Sequence, residues 1–463
     1  MAIRSNSPQA RDIAYHLHPY TNAEVHEEIG PRIITGGDGV YVIDDDGKRY
    51  IEGLAGLWCA SLGFSEKRLA DVAYKQMQEL PYYHGFAHAT TPPVIELAER
   101  LVELAPPSIS KVFFTNSGSE ANDSLIKMVW YYNNALGRHK KKKIISRQQG
   151  YHGVTVAASS LTALPYVQNS FDLPIANFVY TDCPHYWRYK EDGESEEAFS
   201  TRMADNLEQL ILEEDPDTVA AFWAEPVQGA GGVIVPPAGY FEKIQAVLRK
   251  YDVLFVADEV ICGFARTGNM FGCETFKIKP DMMTVAKALS SAYLPIAGAM
   301  ISDDIYQAIK AESGRLGLFG TGYTYSGHPV PAAVALETLK IYEERDILGH
   351  VRGLSPHFLE RLHGFADHPL VGETRGVGLI GAVQLVPDKA KNELFDAGLK
   401  VGAMTAKYCA GHGLITRPLP GDAIAFCPPL IITRDQIDAM FDSLTRALDN
   451  SLDDLTRQGA IAA

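Results

Sequence analysis

A lysine stands alone in the stretch Thr284-Val285-Ala286-Lys287-Ala288-Leu289-Ser290-Ser291, which carries no other charge as far as Ile301. An ammonium group in apolar surroundings is expensive unless it snorkels, pairs or is used chemically. Desolvation lowers the pKa of such an amine towards the neutral form that makes a Schiff base. Upstream, the hydrophobic run Leu254-Phe255-Val256-Ala257 ends abruptly in Asp258 and Glu259. Acids at a strand end of an α/β sheet sit where ligands bind, although solvent-facing carboxylates at a sheet edge give the same pattern. Further upstream, Lys111-Val112-Phe113-Phe114 gives way to Thr115-Asn116-Ser117-Gly118-Ser119 and then to an amphipathic helix from Glu120. Such a turn can cup an anion: Gly118 lets the backbone approach, Ser119 adds a hydroxyl, and the helix N-terminus offers unpaired N–H groups. Taken alone, Ser-Gly-Ser before a helix is more often just a turn and cap.

Phosphate cup, strand-end aspartate and apolar-context lysine are together the parts that hold pyridoxal 5′-phosphate, as phosphate anchor, partner for the pyridine nitrogen and aldimine-forming amine. Two other patterns carry no such weight. Gly376-Val377-Gly378-Leu379-Ile380-Gly381 has dinucleotide-loop spacing, but the strand-like Ala382-Val383-Gln384-Leu385-Val386 follows it where a helix is required. His84 and His88 have the spacing of a helical zinc pair, yet Pro81 and Gly85 break any helix there and no third ligand is apparent. No metal is expected.

The elements that must position these residues are legible in outline. Val40 to Ile43 and Tyr50-Ile51 flank the turn-forming Asp45-Asp46-Gly47 and predict an N-terminal hairpin. From about residue 95, apolar runs alternate with helical periodicity: Val112 to Phe114, a helix from Glu120, Ile144-Ile145, Val219 to Ala224, a helix over Tyr240 to Lys250, Val253 to Ala257, and Met283 to Val285. That alternation argues for an α/β domain with a parallel sheet covered on both faces. Beyond about 330 the order becomes helix (Ala332 to Glu344), extended Gly-rich segment (Val371 to Val386), helix (Phe395 to Ala410), short strands and a final helix from Thr433, which reads as a smaller α+β domain.

Composition limits the function classes. Hydrophobic residues are 46% and charged residues 21% of the 463, which excludes a disordered chain. A formal charge of −15 opposes binding to a polyanion, so no nucleic-acid partner is expected. Six cysteines lie far apart without a CxxC pair, as reduced thiols do. The opening residues lack the apolar run of a signal peptide, and no stretch reaches the roughly 18 apolar residues of a membrane span. A soluble cytoplasmic protein without membrane contact is the expectation.

The three motifs in this order, together with Tyr151-His152-Gly153, Glu225-Pro226-Val227-Gln228-Gly229 and Thr324-Tyr325-Ser326-Gly327-His328-Pro329, resemble the class III pyridoxal-phosphate aminotransferases over nearly the whole chain. Two departures are Ala288, where the family often has glycine, and Thr321-Gly322-Tyr323, where it often has His-Gly before the aromatic residue. The resemblance implies the fold-type-I architecture: residues 1–60 packing with the small domain, 61–329 as the large cofactor-binding domain with a mostly parallel sheet, and 330–463 as the small α+β domain. It implies that Lys287 forms the internal aldimine and shuttles the proton, and that Asp258 keeps the pyridine nitrogen protonated. Tyr151 and Val260 would press on the two ring faces, while Gly118 and Ser119 hold the phosphate. Thr324 would reach that phosphate from the neighbouring subunit of a homodimer or higher homo-oligomer. Glu225 would stand near the ring hydroxyl or a gatekeeping arginine, with a helix-cap role as the plain alternative.

Within the class, Gly56-Leu57-Trp58-Cys59, Phe86, Ala230 and Ile415-Thr416-Arg417-Pro418 resemble the omega-transaminase branch that uses pyruvate. Trp58, Phe86 and Tyr151 would wall the substrate pocket, with Ala230 beside them, and Arg417 would bind the acceptor carboxylate. The implied activity is ping-pong transfer of an amino group from a primary amine or omega-amino acid to a 2-oxo acid, with an aminomutase or decarboxylase on the same fold as the alternative.

Overall fold

The computed structural model describes residues 5–461, and among these the strands form three sheets. Near the N-terminus, β1 (Ile34–Asp38), β2 (Tyr41–Asp44) and β3 (Arg49–Glu52) run antiparallel, and the hairpin at Asp45-Asp46-Gly47 lies where the turn residues predict it. The central sheet comprises β4 (Ile109–Thr115), β5 (Lys143–Arg147), β6 (Phe178–Thr181), β7 (Val219–Ala224), β8 (Leu254–Asp258), β9 (Met282–Val285) and β10 (Ala297–Ser302). Its order is β4-β10-β9-β8-β7-β5-β6. Every residue of β7 and β9 is buried, as expected for strands covered on both faces.

The sheet is mixed where the sequence pattern predicts a parallel one. Strand β10 is antiparallel to both β4 and β9. Ala297-Gly298-Ala299-Met300-Ile301-Ser302 has few of the β-branched residues that mark a strand, and its pairing on both edges decides its state. Gly298 is required by that position: a Cβ there would stand 3.1 Å from Val112 Cγ1 and 3.2 Å from Val285 Cγ2.

A third sheet contains β11 (Val371–Val377), β12 (Ile380–Leu385), β14 (Arg417–Leu419) and β15 (Ala423–Phe426), while β13 (Leu414–Ile415) pairs in parallel with β3. Strands β11 and β12 form a hairpin turned at Gly378, so the glycine-rich repeat is a β-turn and no helix opens there. Helix Tyr240–Lys250 spans the expected residues, and Thr433 caps the final helix Arg434–Arg457 through a capping box with Gln436. The helix expected over Phe395 to Ala410 is shorter. Lys400 has φ 49°, which separates a single turn at Ala397–Leu399 from helix Val401–Gly411. No helix among the described residues is long and apolar enough to cross a membrane.

Six strands of the central sheet, β4 to β9, point their C-terminal ends to one edge. This edge is where α/β sheets bind ligands. The chain leaves β4 for Gly118, β5 for Tyr151, β7 for Glu225, β8 at Asp258 and β9 for Lys287.

Candidate active site

These five chain segments enclose a pocket of about 340 Å³, lined by Gly118, Ser119, Tyr151, His152, Glu225, Asp258, Val260 and Lys287 among others. Lys287 opens a one-turn 3₁₀ helix, Lys287–Ser290, immediately after β9. Its φ of 47° is left-handed, uncommon for a residue with a side chain. Tyr342, on helix Pro329–Glu344, donates its hydroxyl to the Ala288 carbonyl at 2.9 Å and fixes this turn from below. Burial holds the Lys287 ammonium below the ordinary lysine pKa, against the opposing pull of Asp258. Among the described residues, no carboxylate lies within ion-pair distance of the Lys287 amine.

Asp258 is fixed from three directions. Asn122 Nδ2 donates to Asp258 Oδ2 at 2.9 Å, His152 Nδ1 lies 2.8 Å from the same oxygen, and the Val260 N–H reaches Oδ1 at 3.1 Å. Asn122 is the hub of a wholly buried network. Its Nδ2 also donates to the His152 carbonyl at 2.7 Å, while its Oδ1 accepts from Trp223 Nε1 at 3.1 Å and from Thr284 Oγ1 at 2.5 Å. Buried polar atoms satisfied in this way hold one geometry. Neither Asn122 nor His152 was assigned a role from sequence, although both lie inside the stretches that carry the resemblance.

The turn at Ser117-Gly118-Ser119 opens a helix as its residue types predict, and helix Gly118–Ala135 starts two residues earlier than Glu120. Ser117 caps it by accepting the Glu120 N–H at 3.2 Å, and Ser119 Oγ accepts the Val154 N–H at 3.1 Å. The loop carrying Tyr151 therefore closes directly on the cup. Gly153, at φ 130°, passes so near that a Cβ would stand 2.5 Å from Ser119 Oγ.

Glu225 is 3% exposed and is used by the backbone. Its Oε1 accepts the Tyr151 N–H at 3.0 Å and its Oε2 the Gly229 N–H at 2.8 Å. Burial pushes its carboxyl pKa up, with the His152 charge opposing. The side chain thus ties the Tyr151 loop to the turn holding Ala230, which is half-buried and outside the pocket lining.

Arg417 begins β14 and is half-buried. Its charge acts on the phenols of Tyr151 and Tyr166, and among the described residues it forms no ion pair. Burial is the larger influence on both phenols and pushes their pKa up. Tyr20, from the N-terminal segment, donates to the Tyr151 hydroxyl at 3.3 Å, a contact with no signal in the local sequence.

Two expected wall residues, Trp58 and Phe86, stand elsewhere in the single chain, as does Thr324, which the resemblance assigns to the phosphate of the neighbouring subunit's cofactor. Trp58, at φ 66°, is buried with Leu54, Val227, Val233 and Ile261, and only Ile261 of this group lines the pocket. Phe86 lines a second pocket of about 350 Å³ with Phe113, Phe319 and Gly322, so within its own chain it does not wall the Lys287 pocket. Thr324 is exposed beside that second pocket, its carbonyl accepting the Tyr82 hydroxyl at 2.6 Å.

Residues 22–448 match the family model described as aminotransferase class-III. The chloroplastic gamma aminobutyrate transaminase 3 of Solanum lycopersicum is 50% identical over 449 residues, covering 96% of this chain and 86% of that protein. Among solved structures, a thermostable omega transaminase 6-fold mutant from Pseudomonas jessenii superposes with a TM-score of 0.94 at 54% identity, covering 96% of this chain and 98% of the other. The omega transaminase from Pseudomonas jessenii in complex with PMP matches with the same TM-score, identity and coverage.

Proposed function

The chain belongs to the class III aminotransferases, and on that premise we propose that it moves an amino group from a primary amine or omega-amino acid to pyruvate, with Lys287 as its catalytic residue. The enzyme is a pyridoxal-phosphate transaminase of fold-type-I architecture. The residues present fit this cofactor on their own terms: a desolvated lysine, an aspartate oriented by three donors, and a helix N-terminus that carries Gly118 and the Ser119 hydroxyl. When bound, pyridoxal phosphate supplies the electron sink that lets a proton leave the carbon bearing the amino group.

The protein's share follows from the side chains. With the cofactor bound, Lys287 Nζ, desolvated in its pocket, would be the amine that holds it and the base that would carry the proton from the substrate carbon. Asp258, held by Asn122 and His152, keeps a proton on the ring nitrogen. Tyr151 and Val260 confine the ring, and Gly118 and Ser119 bind the phosphate together with Thr324 of a second copy. Glu225 holds the Tyr151 loop in register. The observation that carries the acceptor reading is Arg417, a guanidinium that forms no ion pair among the described residues and whose charge acts on the Tyr151 phenol. A planar guanidinium takes a carboxylate through two parallel hydrogen bonds, as a 2-oxo acid presents. The omega-transaminase and gamma-aminobutyrate transaminase relatives support a donor whose amine lies away from any α-carboxylate.

A donor panel tests this reading: alanine formed from pyruvate with γ-aminobutyrate, β-alanine, a diamine and an arylalkylamine. Alanine formation with at least one donor is expected. Its absence with all four, in cofactor-loaded enzyme, would overturn the pyruvate reading.

A further inference from the structure

Titratable side chains also converge in the N-terminal segment. Asp12 lies on helix Pro8–Tyr15, His26 on helix Ala23–Ile29, and His16 and His18 at the start of the link between them. Asp12 Oδ1 is 3.2 Å from His16 Nδ1, while Asp12 Oδ2 is 2.7 Å from His18 Nε2 and 3.0 Å from His26 Nε2. The three imidazoles pack in a row, with ring centroids 4.1 Å apart for His16 and His18 and 4.3 Å for His18 and His26. A cavity of about 300 Å³ opens beside them, lined by all three histidines and by Glu27.

One carboxylate has a single negative charge, so three imidazoles gathered on it exceed what an ion pair needs. Three imidazole nitrogens and a carboxylate oxygen are a donor set for a borderline divalent transition metal, and a poor one for magnesium or calcium. The donor atoms of Asp12, His16 and His18 all lie within 4.8 Å of one another. Metal–ligand bonds of about 2.0–2.1 Å place neighbouring tetrahedral donors roughly 3.3–3.4 Å apart, so each imidazole nitrogen has to move a few tenths of an ångström away from Asp12, the donors of His16 and His18, which lie within 4.8 Å, have to close up, and His26 has to draw in to join them. We propose that Asp12, His16, His18 and His26 form a site for a divalent transition metal of the zinc class. The ion takes the place of the protons that now bridge imidazole nitrogens to Asp12, and those protons pass to solvent. Four protein ligands close the shell, which makes the site structural. Its place in the fold gives it an effect: the link between the two helices carries Tyr20, whose hydroxyl meets Tyr151 and whose ring edge packs on Tyr166 at 6.2 Å between centroids. An ion at Asp12 fastens the segment that holds Tyr20 against Tyr151, a residue lining the pocket.

The test uses tag-free, cofactor-loaded enzyme dialysed against EDTA and titrated with cobalt(II), then zinc. One cobalt per chain is expected, with the intense visible absorption of tetrahedral coordination, displaced by an equivalent of zinc. His18→Gln should weaken zinc binding about a hundredfold. His16→Gln, at an exposed side chain that folding does not depend on, should also weaken it and abolish the rise in melting temperature that zinc gives the parent. His139→Gln, outside the cluster, should change nothing. Substoichiometric or octahedral cobalt, or zinc affinity equal in parent and His16→Gln/His18→Gln, would overturn the site and leave a hydrogen-bonded cluster only.

Discussion

Lys287 holds a backbone conformation that disfavours any side chain, of the kind that costs about 1–3 kcal/mol and persists only where the surroundings impose it. Tyr342, bonded to the Ala288 carbonyl, and β9 before it hold the turn here, and Lys287 lines the same pocket as Gly118 and Ser119. Lys287→Ala should therefore abolish transamination while cofactor still binds through phosphate and stacking contacts, read as loss of turnover with retained cofactor in equilibrium dialysis. Asp258→Asn keeps the shape and removes the charge, and should lower the rate about a hundredfold or more. Undiminished turnover in either variant would remove that residue from the chemistry. On the proposed function Arg417 serves the acceptor half-reaction when the donor is a neutral amine, because such amines and aldehydes offer it no carboxylate, whereas an omega-amino acid does. Charge-assisted hydrogen bonds contribute about 1.5–3 kcal/mol, so Arg417→Ala should lower kcat/KM for pyruvate roughly ten- to a hundredfold and leave a neutral aldehyde acceptor nearly unaffected. Equal losses for both acceptors would make Arg417 structural.

At the scale of elements, the turn after β8 is held by a second buried acid. Glu259 accepts the backbone N–H groups of Gly272 at 2.9 Å and Cys273 at 2.6 Å, and burial pushes its carboxyl pKa up to about 7. Between the ordinary value of 4.5 and about 7 the folded protein keeps a proton that the unfolded chain has released. Stability contributed by Glu259 is thus full below the unfolded value and is lost as pH rises through about 7. Glu259→Gln should flatten the fall of melting temperature between about pH 5 and pH 8, and parallel profiles in parent and variant would refute the assignment. The strands β7, β8 and β9 and the residues at their ends were legible because a strand covered on both faces leaves an unbroken apolar run, and a polar residue at its end stands out. Strand β10 was not, because Ala-Gly-Ala-Met-Ile-Ser becomes a strand only through partners on both sides. Asn122 and His152 escaped for a related reason: they meet Asp258 across 136 and 106 residues, and nothing local separates them from any polar residue of a helix or loop.

The whole molecule bears on Phe86 and Thr324: the resemblance implies Phe86 in the substrate pocket and Thr324 at the phosphate of the neighbouring subunit's cofactor, and the single chain places Phe86 in the lining of a second pocket with Thr324 exposed beside it. Which pocket a loop serves is a property of assembly, so no local pattern carries it. If Phe86 and Thr324 serve the pocket of a second copy, each active site is built from two chains, and complementation measures this directly. Thr324→Glu sets a carboxylate against the cofactor phosphate, and like charges at that range destroy binding. Because Thr324 is exposed on its own chain, the substitution leaves the fold intact. Lys287→Ala chains and Thr324→Glu chains should each be inactive alone. Unfolded together, refolded and loaded with cofactor, half the dimers would be mixed, and each mixed dimer would hold one pocket with Lys287 from one chain and Thr324 from the other. Recovery of about a quarter of the parent activity is therefore expected. A mixture no more active than its separate components would put Thr324 outside the neighbouring pocket.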